Sequence, residues 1–226
     1  EEKEKIEKPP KLYDLTTLQR EANRQLGFTA NQTLEYTQSL YEKKLITYPR
    51  TDSRYLTEDM KESIPALVDI NAGIFLSQDI NLPINIEQVI DNSKVSDHHG
   101  IITTMGIGSY DIHSLPFGEK EILQMIATRL TCAVGDNYRY AETIVTANCN
   151  ETIFTAKGRT VLVDGFKAVE NLHLKNKKKP SKDNTDKVLP PISQGEGFPV
   201  KASIKEGKTS PPKHYTDDTL LSAMEN

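Results

Sequence analysis

The 226-residue sequence has few cysteines, no long apolar run and no surplus of positive charge. Cys132 and Cys149 lie too far apart for the Cys-x-x-Cys spacing of a zinc knuckle, which argues against a zinc site and favours reduced structural thiols. No apolar run is long enough to span a bilayer, so the composition predicts a soluble, globular chain. Because the formal net charge is -4, any phosphate-binding site has to be a local patch of lysine and arginine.

Several motifs are also missing. Residues Glu1–Lys5 have neither the apolar core of a signal peptide nor the Arg-rich character of a transit sequence, so we interpret them as a solvated lead-in. The chain has no Gly-x-x-x-x-Gly-Lys loop, which argues against an ATP site. We find no internal repeat. The length fits two domains with cores of their own.

Two helices joined by a short turn are predicted near the N-terminus. The first covers Leu15–Gly27, with Thr16 and Gln19 spaced as a capping box and Gly27 as the stop. A second capping box, Thr29 with Gln32, begins the next helix. The buried stripe predicted for that helix is Leu34, Gln38, Tyr41 and Leu45.

A strand-like run, Leu45–Tyr48, follows the two helices. Helix, tight turn, helix and strand is the order of a winged helix-turn-helix, a shape that often contacts DNA. The same order also fits a helical hairpin that only fills a core.

The second half of the chain changes from helical to strand-like periodicity. A strong apolar stripe from Ile122 to Val134 predicts a helix that ends at Gly135. Strands are then predicted at residues 138–148, 152–156 and 160–163, with Lys157-Gly158 as a hairpin turn. The lysine-rich stretch 171–187 is predicted to be an exposed loop, and a new helix begins after Thr216.

The stretch Tyr48–Ser53 carries the candidate chemistry. A residue before proline is extended, and side chains alternate along extended backbone, so Tyr48, Arg50 and Asp52 are expected to share a side. A phenol with a pKa near ~10 needs a neighbour before it can attack phosphorus at neutral pH. Arg50 would hold a phosphate with its fork of donors, and Asp52 would orient that fork. These few residues alone favour a surface tyrosine beside an ordinary Arg–Asp ion pair.

More of the chain resembles the type IA DNA topoisomerases, and the topoisomerase III branch fits best. The matching stretches are Leu12–Asn23, Ser39–Leu56, Ser96–Ile102 and Tyr215–Asn226, in the same order and spacing. Where relatives often carry proline after the paired isoleucines, this chain has Thr103, which affects the expected loop geometry.

This resemblance implies roles for individual residues. Tyr48 would form a 5′-phosphotyrosyl link to single-stranded DNA, Arg50 would assist at the phosphate, and His98 would be the active-site histidine. An imidazole near its ordinary pKa can donate to a phosphate oxygen or relay a proton. Asp52 and His99 are supporting candidates. The expected DNA contacts are Arg20, Arg24, Lys43, Lys44 and Arg54.

The resemblance also implies an α+β fold in four parts. We expect a linker at residues 1–11, a helical, winged-helix-like (CAP-like) domain with the active-site tyrosine at 12–117, and a β-rich arch domain at 118–214 with the exposed loop 171–187. Residues 215–226 would begin the next helical domain. The family's acidic Toprim domain, which holds Mg²⁺, has no counterpart in this sequence. We therefore expect no metal bound by this chain, and no cleavage by this chain alone.

The function expected from these features is ATP-independent cleavage, strand passage and religation of DNA in the full-length enzyme, in the cytoplasm at the nucleoid and away from membranes. A non-enzymatic winged-helix DNA-binding module is the alternative, and it leaves Tyr48, Arg50 and His98 without roles. A replication-initiator nuclease needs two histidines separated by one residue, whereas His98 and His99 are adjacent. Two further alternatives give these histidines no catalytic role: they are ordinary loop residues, or they form half of a metal site with Asp97. The metal site is disfavoured, because adjacent side chains on extended backbone point apart.

Overall fold

The computed structural model describes residues 1–76, 83–176, 188–201 and 203–225 of the chain. Its architecture is α+β, with helices and a three-stranded antiparallel sheet. No helix in these described ranges is both long and apolar enough to cross a membrane. The helices and strands, in chain order, are β1 (Glu2–Glu7), α1 (Leu15–Leu26), α2 (Ala30–Glu42), α3 (Ile64–Phe75), α4 (Phe117–Ala133), β2 (Tyr138–Cys149), β3 (Thr152–Val163), α5 (Lys167–Asn176) and α6 (Asp217–Glu225).

The hairpin of α1 and α2 has the length and position that the sequence predicts. Gly27 ends α1 in the left-handed conformation, with φ of 76°, and the Thr29–Gln32 capping box begins α2, so both of these signals are confirmed. The capping box predicted at Thr16 is wrong. Asp14 caps α1 instead, because its carboxylate accepts a hydrogen bond from the Thr17 amide at 2.6 Å.

The buried face of α2 differs from the predicted stripe. Thr33, Thr37 and Leu40 are buried, whereas Tyr41 is exposed. Burial of the two threonines is possible because each hydroxyl donates to the backbone carbonyl one turn earlier, at 3.0 Å in both cases. The stripe of apolar residues was therefore a poor guide to which side of this helix faces the core.

Helix α4 runs through the centre of the main core. The six apolar residues that predict this helix are all buried, as are Glu119, Thr128 and Thr131. The helix begins at Phe117, five residues before the predicted stripe, and it is buried on nearly every side rather than on one face. It packs against α2, α3 and α5.

The hairpin of β2 and β3 turns at a different place from the one predicted. Asn150 and Glu151 form the turn, with φ of 47° and 66°. Two consecutive residues with positive φ are typical of the tight turn that matches the twist of paired strands. Lys157 and Gly158 lie inside β3, opposite Ile144 and Thr143, so the predicted turn is wrong.

Two segments predicted to be irregular contain regular structure. The lead-in at residues 1–11 includes β1, which pairs with β2 along its whole length. The first part of the predicted loop 171–187 belongs to α5, and His173 in it is buried. The part from residue 177 to residue 187 lies outside the described residues. Helix α6 begins at Asp217, next to the predicted start.

The backbone at Gly165 predicts a strong effect of substitution. Gly165 has φ of +48°, and an added Cβ would lie 2.4 Å from the Asn137 carbonyl oxygen, which cannot move as a side chain would. We expect Gly165→Ala to lower the free energy of unfolding by about 1–3 kcal/mol. The matched control is Gly73→Ala in α3, where an added Cβ meets no atom within 4 Å and the helix should gain about 0.5–1 kcal/mol. Urea unfolding measures both changes, and equal midpoints for Gly165→Ala and the unsubstituted chain would contradict the first.

Candidate active site

The candidate site is built where residues 45–55 lie alongside residues 98–104. Ile46 pairs with Thr103 in an isolated antiparallel bridge, and the Thr47 amide donates to the Ile102 carbonyl at 2.9 Å. Further along, the Gly100 amide donates to the Tyr55 carbonyl at 2.8 Å. The strand predicted at 45–48 is thus reduced to this one bridge. The bridge and the neighbouring hydrogen bonds hold together two segments that are about fifty residues apart in the sequence.

Two threonine side chains fix this pairing around Tyr48. The Thr47 hydroxyl accepts a hydrogen bond from the Ile102 amide at 3.0 Å. The Thr51 hydroxyl donates to the His98 carbonyl at 2.9 Å and accepts from the Ser53 amide at 3.1 Å. The backbone before Tyr48 and the backbone after it are therefore each tied to the histidine segment. The sequence signal that was missed is a threonine on either side of Tyr48, since such hydroxyls often bond to nearby backbone.

The structure brings the side chains of Tyr48 and His98 together. Their ring centroids are 4.3 Å apart, with the planes inclined at 44°. Tyr41, which the sequence analysis did not assign to the site, presents its ring edge-on to Tyr48 at 5.4 Å. Tyr48 is half-buried between these rings, while His98 is exposed.

Arg50 and Asp52 lie on the exposed side of the same segment. Pro49, Thr51 and Ser53 are buried and alternate with them, as the extended backbone predicts. Among the described residues, the ion pairs do not join Arg50 to Asp52. Both side chains are exposed, and the roles assigned to Arg50 and Asp52 stay predictions.

His99 turns towards the backbone rather than towards Tyr48. Its Nδ1 lies 2.9 Å from the Gly100 carbonyl oxygen, and the side chain is half-buried. Within the described ranges, no group of three or more His, Cys, Asp or Glu side chains is placed to hold a metal ion.

Four of the five basic residues expected to contact DNA are held in ion pairs within the chain. Arg20 and Arg24 both pair with Asp218 of α6, at 3.2 and 3.0 Å. Lys43 pairs with Glu119 at 2.9 Å, and Arg54 pairs with Asp14. The fifth, Lys44, is exposed and has φ of 59°.

Thr103, which stands where a proline was expected, is part of the core. It is buried, and its hydroxyl donates to the Asn71 side-chain oxygen at 3.0 Å. The position is thus filled by a polar pair between the histidine segment and α3.

A separate cleft of about 340 Å³ lies between α1, α4 and α5. Its walls include Glu21 and Arg129, which form an ion pair, and Tyr13, whose hydroxyl donates to Glu21 at 2.7 Å. Burial raises the pKa of the Tyr13 phenol far above its ordinary value. Tyr48, Arg50 and His98 do not line this cleft. Its Tyr13, Glu21 and Arg129 side chains satisfy one another.

The whole chain is similar to known proteins. A sequence model of a family described as DNA topoisomerase matches residues 1–226. The DNA topoisomerase 3 of Bacillus subtilis (strain 168) is 38% identical over 227 residues, which cover 96% of this chain and 30% of that protein. The DNA topoisomerase 3 of Bacillus cereus (strain ATCC 14579) is 34% identical over 234 residues, covering 100% of this chain and 32% of that protein. The chain therefore spans about a third of the length of these relatives.

One solved structure is similar in fold. It is the full-length topoisomerase I from Thermotoga maritima, with a TM-score of 0.72 and 24% sequence identity, covering 100% of this chain and 36% of that chain. At this identity the likeness concerns the fold, and it agrees with helices combined with an antiparallel sheet.

The threonine contacts at the site predict a local effect. Thr51→Val keeps the shape of the side chain but removes its bonds to the His98 carbonyl and the Ser53 amide. We expect a loss of about 1–3 kcal/mol in the free energy of unfolding and faster amide hydrogen exchange at Gly100 and Ile101. Thr57→Val is the control, because Thr57 makes no capping bond with its side chain. Unchanged exchange in the Thr51 variant would show that this hydroxyl does not hold the histidine segment.

Proposed function

The chain belongs to the DNA topoisomerase family, and we propose that it is the strand-cleaving core of a type IA enzyme of the topoisomerase III branch. The observation that carries this proposal is the approach of the Tyr48 and His98 rings, 4.3 Å between centroids, on the segment that also carries Arg50. A nucleophile, a proton-handling group and a phosphate-binding group are the three functions that phosphoryl transfer to a phenol needs.

The proposed reaction is a pair of transesterifications. The Tyr48 hydroxyl loses its proton and attacks the phosphorus of a single-stranded DNA phosphodiester. A bond forms between the phenolic oxygen and the 5′-phosphate, while the bond to the 3′ oxygen breaks and that oxygen takes a proton. After another strand has passed, the 3′ hydroxyl attacks the phosphotyrosine and restores both groups. The number of phosphoester bonds is conserved, so resealing needs no ATP.

The neighbouring side chains would bind the phosphate and transfer protons. Arg50 would hold two oxygens of the scissile phosphate and stabilise the negative charge that develops there. His98 would donate a hydrogen bond to the same phosphate, or relay the proton of Tyr48. Asp52 would orient Arg50 once DNA is bound. His99, which faces backbone, would support the loop rather than the chemistry.

The described residues of this chain do not offer a site that fits the magnesium ion that the resemblance implies. Within the described ranges no acidic or histidine cluster is placed to hold a metal. No step of the reaction above is therefore assigned to a metal on this chain. We infer that the chain by itself binds single-stranded DNA without cleaving it, and that the whole protein acts in the cytoplasm, at the nucleoid.

The finer division of the fold is also part of the proposal. The α1–α2 hairpin and the segment that follows it would form a winged-helix-like domain at residues 12–117. The long hairpin of β2 and β3 would belong to an arch domain at 118–214, and α6 would begin the next helical domain. A non-enzymatic winged-helix module remains the alternative, but it gives no reason for the Tyr48–His98 contact.

The nucleophile is tested in a chimera. In the DNA topoisomerase 3 of Bacillus subtilis, the segment matching this chain is replaced by this chain, and cleavage of labelled single-stranded DNA is measured. We expect Tyr48→Phe to abolish the covalent protein–DNA adduct while leaving DNA affinity within about twofold, since the hydroxyl is a nucleophile rather than an anchor. Tyr41→Phe is the matched control, and it should still form the adduct. A phenylalanine at position 48 that still allows an adduct would overturn the assignment.

The roles of Arg50 and His98 are tested in the same chimera. Arg50→Lys keeps the charge but loses the fork that binds two phosphate oxygens, so the cleavage rate should fall by about 10²- to 10³-fold. His98→Ala should slow cleavage by about 10²-fold, as expected when a positioned proton-transfer group is removed. His99→Ala is the control, with a smaller effect. Single-turnover cleavage rates equal to those of the unsubstituted chimera for both main variants would show that these roles are wrong.

A further inference from the structure

Three residues outside the proposed catalytic set meet at one surface. The Nζ atoms of Lys11 and Lys94 lie over the ring of Tyr55, at 4.9 and 4.5 Å from its centroid. The Lys94 ammonium also lies 3.5 Å from the Tyr55 hydroxyl. Hydrogen bonds from Lys11 and then from Lys94 lower the pKa of the Tyr55 phenol. Two exposed ammonium groups and the hydroxyl of a half-buried tyrosine therefore converge on one point of the surface.

Each member of this cluster is attached to a segment that builds the candidate site. The Tyr55 carbonyl accepts a bond from the Gly100 amide, two residues after His98. The Lys94 carbonyl accepts a bond from the Ser53 hydroxyl at 2.7 Å. Lys11 lies two residues before Tyr13, which pairs with Ile101. Since seven residues of extended chain span at most about 25 Å, the cluster lies within a few nucleotides of Tyr48.

The charges of this cluster are less committed than those of Arg54, Lys43 and Arg24, three of the basic residues expected to contact DNA. The carboxylates that hold Arg54, Lys43 and Arg24 have side chains only 8%, 10% and 14% exposed. Withdrawing those cations would leave buried carboxylates unpaired, which is strongly unfavourable. Lys94 pairs with Asp91, which is 28% exposed and can be hydrated instead. Among the described residues, Lys11 faces Tyr55 rather than a carboxylate.

We propose that Lys11, Tyr55 and Lys94 form a binding site for one phosphodiester of the DNA strand, away from the bond that Tyr48 attacks. This inference rests on the proposed function, because it takes the ligand to be the single strand that Tyr48 engages. The two ammonium groups neutralise the phosphate, and the Tyr55 hydroxyl donates to one of its oxygens. The site fixes the register of the strand and takes no part in bond making or breaking.

Binding of a labelled single-stranded oligonucleotide to the 226-residue chain tests the site. Fluorescence anisotropy between 50 and 200 mM salt gives the affinity and its log-log slope against salt. We expect Lys11→Gln combined with Lys94→Gln to reduce the slope by about 1.4, because each lysine that no longer neutralises the single strand lowers it by about 0.7. Affinity at 50 mM salt should fall by at least about tenfold. Tyr55→Phe, which removes only the hydroxyl, should weaken binding by about two- to tenfold without changing the slope.

Lys61→Gln is the matched control, because Lys61 is a surface lysine whose partners Glu87 and Glu58 are 66% and 63% exposed, so its charge is at least as available as that of Lys94. The ammonium groups over the Tyr55 ring are those of Lys11 and Lys94. The control should leave both affinity and slope unchanged. The slope does not depend on the fraction of folded protein, so partial unfolding of the double variant would not imitate the expected result. Wild-type slope and affinity in the double variant would overturn this site and leave the proposed function intact. Failure of the proposed function would appear separately, as loss of the Tyr48-dependent adduct in the chimera.

Discussion

Backbone pairing between residues 45–55 and 98–104 is the constraint on which the candidate site depends. A backbone hydrogen bond contributes only about 0.5–1.5 kcal/mol net, whereas ordering one residue costs about 1–2 kcal/mol. The pairing therefore needs another source of stability. Leu45, Ile46, Ile101 and Ile102 supply it, because each is 1% exposed and full burial of such a side chain contributes about 1.5–3 kcal/mol. The core beneath the site thus positions Tyr48 and His98 above it.

Some signals that act over a few residues predict the structure correctly, although the capping box at Thr16 and the turn at Lys157-Gly158 are wrong. Gly27, the Thr29–Gln32 box and the apolar stripe of α4 each depend on local geometry or on strong periodicity. The features that the sequence analysis missed involve residue types that occur in more than one structural setting. The turn was predicted at Gly158 because glycine favours positive φ, but the turn is formed by Asn150 and Glu151, which adopt positive φ although neither is glycine. The buried threonines of α2 satisfy their own hydroxyls, so a polar residue there did not mean an exposed one.

The site itself was predictable only in part. Pro49 favours extended backbone at Tyr48, and extended backbone accounts for the alternation of exposed Arg50 and Asp52 with buried neighbours. The approach of His98 to Tyr48 does not follow from any local rule, because about fifty residues separate them and the connection is set by tertiary packing. A family resemblance pointed to His98, and the fold brings its ring beside the tyrosine. The catalytic roles of both residues remain predictions.

Ion pairing explains why an acidic chain can still present selected cations to a phosphate. Several basic residues serve the fold: Arg54 neutralises the buried cap of α1, Lys43 neutralises buried Glu119, and Arg20 and Arg24 fasten α6 to α1. Breaking a pair with a buried carboxylate typically costs about 3–5 kcal/mol, whereas an exposed pair is worth about 0–1 kcal/mol. A phosphate therefore competes best for lysines and arginines whose partner carboxylates are exposed and can be hydrated once the ion pair is broken. Counting basic residues along the sequence cannot distinguish cations paired with buried carboxylates from cations paired with exposed ones. The difference lies in the burial of the carboxylate and not in the cation.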